Sequence, residues 1–146
     1  EHAAATHPSL REKARYVGAQ WAHGPQWTLH EEGGDDWFGF ASVTALADDV
    51  VLVPLHGHTR GHSGVAVRRD DGTWLLHAGD AFFHGGQLAD PPACPVSLTA
   101  FQRLMAIDNR ARLANLDRLQ ELARGHDEVT VICAHDKAQY DELSGA

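Results

Sequence analysis

Three polar residues in this chain follow β-rich runs, and each is of a type that binds metal ions: His58, Asp80 and His135. His58 lies in Leu55-His56-Gly57-His58-Thr59-Arg60-Gly61-His62-Ser63, after the run Val50 to Leu55. Imidazole is a common ligand for zinc, iron and related metals. His56 and His58 stand at i and i+2, which puts them on one face of an extended strand. That pair could open an HxHxDH metal motif, but the aspartate position is Arg60, and a guanidinium is repelled by a dication. His58 is therefore the expected ligand, and His56 and His62 are expected to support the site. Asp80 follows the run Thr73 to Ala78 within Gly79-Asp80-Ala81-Phe82-Phe83. Its carboxylate has two oxygens and can bridge two cations; capping the next turn is the alternative. His135 follows Val129 to Cys133. None of the three is decisive alone. Strand ends are where open α/β sheets hold their sites, and three such ends together point to convergence.

The elements that must position them can be read from pattern. Ser9 to Ala22 is expected to be a helix, with Ser9 and Glu12 as a capping box and Gly24-Pro25 as its stop. Residues 31 to 36 form a polar turn-rich loop. Trp37, Phe38 and Phe40 cluster around Gly39, either packing on a sheet or walling a pocket near the site. Val43 to Ala47 and Val50 to Leu55 are short strands around Asp48-Asp49. Val65 to Arg69 and Thr73 to Ala78 are strands around Asp71-Gly72, a strong hairpin signal. Residues 84 to 97 form a long loop whose prolines exclude a helix. Leu98 to Arg124 is a helical stretch broken near Asp108-Asn109. In its second half Leu113, Leu116, Leu119 and Leu122 form an apolar stripe. Val129 to Cys133 is a buried strand, and the tail from Asp136 is helical. This order suits an α/β domain, layered in the α+β sense, with a sheet covered by helices.

Composition narrows the function. The net charge of −8 argues against nucleic acid, which needs a clustered basic face; Arg60, Arg68 and Arg69 are too few. No apolar run is long enough to span a bilayer. No signal-peptide pattern follows Glu1, so the expected location is cytoplasmic. Cys94 and Cys133 form no CxxC pair, and Cys133 reads as a small buried hydrophobe. Histidine is the outlier, with 11 in 146 residues.

The motifs together resemble the metallo-β-lactamase superfamily. Gly57-His58-Thr59-Arg60-Gly61-His62 is similar to that family's third metal motif, Gly79-Asp80-Ala81 to its bridging aspartate, and Ala134-His135-Asp136 to its last histidine motif. The helix after Glu1 is similar to the region preceding the third motif in lactonase-like members. The family's HxHxDH string does not occur in this sequence. The resemblance thus makes residues 1–146 the C-terminal portion of a single domain, part of an αββα sandwich. It implies two divalent metal ions, zinc by default with iron or manganese as alternatives, and a small-molecule substrate. His58 would complete one ion's ligands and His135 the other's, while Asp80 bridges them and is the catalytic carboxylate. A metal-bound hydroxide would then attack an ester, lactone, thioester or similar centre. Lactonase-like members carry a tyrosine three residues after the aspartate, where this chain has Phe83. Phe82, Phe83 and the cluster at Trp37 imply an apolar acyl or aryl group near the metals. The partner expected is the N-terminal half of the same domain, with self-association as a second way to cover its surface. The alternatives are an iron oxygenase or redox protein of the same fold and a non-catalytic remnant used in binding.

Overall fold

The computed structural model describes residues 1–30, 33–34, 36–41 and 43–145, so the loop expected at 31 to 36 lies partly outside the described residues. A five-stranded sheet organises the chain in the order β3-β4-β5-β6-β7, formed by β3 (Val43–Ala47), β4 (Val50–Pro54), β5 (Ser63–Arg68), β6 (Trp74–His77) and β7 (Val129–Ile132). The first four strands form an antiparallel meander, and β7 joins β6 in parallel. A separate two-residue hairpin, β1 (Asp36–Trp37) and β2 (Phe40–Ala41), turns on Phe38 and Gly39, both at positive φ. Two such residues in succession match the twist of a tight hairpin.

The crossover from β6 to β7 carries the helices. It contains α2 (Val96–Met105) and α3 (Asn109–Gly125), separated as the sequence predicts. Asp108 starts the second of these helices: its Oδ1 accepts from the amides of Arg110 and Ala111 at 2.9 and 3.0 Å. That side chain satisfies donors that the first turn of α3 leaves open. Asp136 does the same for α4 (Lys137–Ser144), accepting from Ala138 N at 2.9 Å.

One sheet face and α3 enclose the core. Val51, Val53, Ala66 and Leu76 alternate inward along their strands and meet Leu116, Leu119 and Leu122. The stripe differs by one residue from the expected one: Leu113 is 43% exposed and Arg112 is buried. The Arg112 fork donates to Asn109 Oδ1 twice at 3.1 Å and approaches Gln102 Oε1 at 3.4 Å, so local partners take in its polar end. Burial pushes its pKa below the usual arginine value. The aromatic cluster packs at the start of β6, away from the strand ends that carry the candidate ligands. Trp37 meets Trp74 and Phe38 edge-on, and Arg118 stacks 4.0 Å from the Phe40 ring centroid.

The expected helix over Ser9 to Ala22 does not form. α1 covers His2–Thr6, and two short 3-10 turns cover Glu12–Ala14 and Gly18–Trp21. The capping box itself is present: Ser9 N donates to Glu12 Oε2 at 2.8 Å, and Glu12 N donates to Ser9 Oγ at 3.4 Å. Tertiary partners then take over. Glu12 accepts a forked pair from Arg60, and Arg15 reaches the backbone carbonyls of His58 and Met105. The Ser9 amide and hydroxyl, followed by Arg60, hold the Glu12 carboxyl below its ordinary range.

The sheet's second face is also apolar. Val65 and Val67 are 37% and 42% exposed, and Leu52 and Leu75 are half-buried. A contiguous apolar sheet face is an association surface. The purified chain is expected to elute above its 15.9 kDa mass in size-exclusion chromatography with light scattering, increasingly so at higher concentration. A monomer at all concentrations, with a cooperative melt, would show that this face needs no cover. Both cysteines are free. No helix among the described residues is long and apolar enough to cross a membrane.

Candidate metal centre

Strand direction brings the three expected ligands to one sheet edge. β4 and β6 each pair antiparallel with β5, so they run the same way, and β7 runs parallel to β6. His77 of β6 is paired with Ile132 of β7. Asp80 and His135 each lie three residues beyond that pair. The ladder continues past the strands through Ala78 N to Ile132 O at 2.7 Å and Ala134 N to Gly79 O at 3.0 Å. This holds the two loops side by side. His58 arrives from the end of β4. Its carbonyl accepts from Ile107 N at 3.2 Å and the Gly57 carbonyl from Asp108 N at 2.9 Å, which ties this loop to the α2–α3 junction. Gly57, at φ 133°, lies against the Arg112 backbone, where a Cβ would collide.

The side chains converge. His58 Nε2 is 3.4 Å from Asp80 Oδ2, and His135 Nε2 is 2.9 Å from Asp80 Oδ1. Each imidazole thus faces a different oxygen of one carboxylate. The contact at Oδ1 is close but lacks hydrogen-bond alignment, so that buried oxygen has no hydrogen-bond partner among the described residues. A buried, unsatisfied carboxylate oxygen is costly without a cation. Burial is the main force holding the His58 pKa below the ordinary histidine value, which keeps a lone pair available.

Arg15 is a site residue that sequence reading missed. Its Nη2 stands 2.5 Å from His58 Nε2. A guanidinium only donates, so this nitrogen must be the acceptor and Nδ1 carries the proton. Nothing in the local sequence marks Arg15, which is 43 residues from His58 and sat in an expected helix. Arg60, rejected as a ligand, turns away from the site to Glu12.

His62 lies behind Asp80. Its Nδ1 is 2.9 Å from the Leu55 carbonyl, and Asp80 N donates to its Nε2 at 2.9 Å. Burial, above all, lowers its pKa. His56 does not line the cavity. Its carbonyl accepts from Asn115 Nδ2 at 2.8 Å, linking this loop to α3.

A cavity of about 400 Å³ opens on the three ligands and is lined by Phe83, Leu98, Phe101 and Met105 as well. The Phe83 ring centroid is 4.7 Å from that of His135 and 5.8 Å from that of His58. Phe82 points the other way and is fully buried in the core. The apolar wall therefore comes from Phe83 and α2. Neither Phe82 nor the Trp37 cluster contributes, contrary to the sequence-based expectation. The spacing of Leu98, Phe101 and Met105 is that of one helix face and could have marked them.

No family model matches the chain. Proteins described as probable metallo-hydrolases from Mycobacterium bovis and Mycobacterium tuberculosis are both 44% identical to it over 138 residues, 91% of this chain. The chain spans 44% of the length of these curated relatives. An N-acyl homoserine lactone hydrolase, solved with N-hexanoyl-L-homoserine at its catalytic metal centre, superposes with a TM-score of 0.51 at 18% identity. So does a B. thuringiensis variant with N-decanoyl-L-homoserine at its active site. Each match covers 68% of this chain and 35% of the other. Over the matched part, the chain has the metallo-β-lactamase fold of these lactone hydrolases.

Within that metallo-β-lactamase fold, the donor set meets the demands of two shared cations in part. One carboxylate with an imidazole at each oxygen suits a bridge. Among the described residues, no three His, Cys, Asp or Glu side chains surround a single ion position. Each cation would have one histidine and one shared oxygen from this chain.

Proposed function

We propose that this chain supplies His58, Asp80 and His135 to a two-metal hydrolase centre. The observation that carries the reading is the pair of imidazole nitrogens facing opposite oxygens of Asp80, at 3.4 and 2.9 Å, at the mouth of an apolar cavity. His58 and His135 would each hold one divalent ion, and Asp80 would hold both. Zinc is the first choice for this mixed nitrogen and oxygen set, with iron and manganese next. A dication held there lowers the pKa of water toward neutrality and polarises a carbonyl oxygen.

The chain's own residues do the rest. The Asp80 carboxylate would offset part of the repulsion between two adjacent dications. The lone pair of His58 Nε2 now faces Arg15, so a metal ion at that nitrogen would replace the guanidinium. Phe83, Leu98, Phe101 and Met105 exclude water from one side of the ligands and suit an apolar acyl group. The substrate class favoured is therefore an ester, thioester or lactone with an apolar acyl chain. The structural neighbours hold N-hexanoyl- and N-decanoyl-L-homoserine, each of which carries an apolar acyl chain. The remaining ligands would come from polypeptide beyond these residues, completing the domain, or from an associated chain.

Equilibrium dialysis with zinc, iron and manganese, followed by elemental analysis, tests the site. Binding is expected to be weak and to fall in His58→Ala and His135→Ala variants. Turnover of ester, thioester and lactone substrates by the 146 residues alone is expected to stay near background. Zinc binding indifferent to both histidines would refute the ligand assignment. Efficient turnover by the isolated chain would refute the shared-ligand reading.

A further inference from the structure

On the β4 side, the backbone of Asp80 is bridged by the His62 side chain. That backbone follows Gly79, which sits at φ 57° in a loop with no strand partner on the β5 side. A Cβ at Gly79 would lie 2.8 Å from His62 Nε2, so the glycine lets the imidazole approach the backbone. His62 meets two backbone groups of fixed polarity. The Leu55 carbonyl can only accept, and it lies 2.9 Å from Nδ1. The Asp80 amide can only donate, and it lies 2.9 Å from Nε2. One tautomer satisfies both: neutral imidazole with its proton on Nδ1. Both ring nitrogens are then occupied, so His62 has no lone pair left for a metal ion.

We propose that His62 is a positioning residue that links the end of β4 to the Asp80 amide and thereby sets where the bridging carboxylate stands. Leu55, in turn, accepts this bond while its own amide donates to the His62 carbonyl at 2.9 Å. The imidazole is thus held at both its backbone and its ring. This contact joins the two loops that deliver His58 and Asp80. The inference rests on the metal-site reading for its consequence, but the hydrogen-bond relay stands on its own geometry.

Two measurements separate the claims. The first is nitrogen NMR on the histidine-labelled chain, with the His62 signals identified by their loss in His62→Gln. The Nδ1-protonated tautomer and a slowly exchanging Asp80 amide are expected. An Nε2-protonated or doubly protonated ring at neutral pH, or an unprotected Asp80 amide, overturns the proposal whatever metal does. The second is zinc affinity. A glutamine amide carries one donor and one acceptor in an arrangement close to the imidazole's, whereas leucine fills the space with neither. Loss of a group that orients a ligand lowers metal affinity by about 10–100-fold. His62→Leu should show a loss of that order and His62→Gln should recover most of it, with similar thermal melts for the two variants. Equal affinities in both variants and wild type, while Asp80→Ala loses zinc, would refute positioning and leave the metal site standing. Zinc binding that Asp80→Ala does not change would refute the metal site, and the tautomer and amide exchange would then judge the relay alone.

Discussion

Replacing Asp80 with alanine is expected to abolish measurable binding of both metal ions while leaving the chain folded. Both histidines face this carboxylate. Removing a supporting group typically costs about 10–100-fold in metal affinity, so removing a shared ligand should cost more than about a hundredfold. Its side chain is 33% exposed, so stability should change little. Asp80→Asn should fall between: the amide keeps the shape but has one neutral acceptor and no charge to offset two dications. Calorimetric zinc titration beside a thermal melt reads both quantities. Zinc affinity in Asp80→Ala within a few-fold of wild type would remove the bridge from the mechanism. A collapsed melt would instead make Asp80 a structural group.

The second large effect concerns the residue two positions later. Phe82→Ala is expected to destabilise the fold by about 3–5 kcal/mol, the usual cost of emptying an aromatic site in a packed core. Phe82 is fully buried among the residues that join the sheet to α3. A loss of that size is a large share of the stability a domain possesses. Urea unfolding at one fixed protein concentration would show it as a lowered midpoint with an unchanged slope. A shift below about 1 kcal/mol would mean that the site relaxes around the gap and that Phe82 is not a core anchor. Phe83→Ala should instead enlarge the cavity beside His58 and His135, because that ring lies against both imidazoles.

Much of this was legible in the chain itself. The hairpin at Asp71-Gly72, the break at Asp108 and the strand before His135 follow from local rules, since turn residues, caps and alternating apolar residues act over a few positions. The identities of His58, Asp80 and His135 as candidates came from the same local reading, as polar residues at the ends of buried runs. What sequence could not supply was direction and register. The three residues meet because β4, β6 and β7 point the same way and because His77 pairs with Ile132, a long-range match that no local pattern encodes. The same holds for the failed helix at Ser9 to Ala22. Its capping box forms, but Arg60, His58 and Met105 draw Glu12 and Arg15 into tertiary bonds that override the local helix propensity. Phe82 and Phe83 are chemically identical neighbours, and only their opposite directions on a packed sheet edge make one a core anchor and the other a wall of the site.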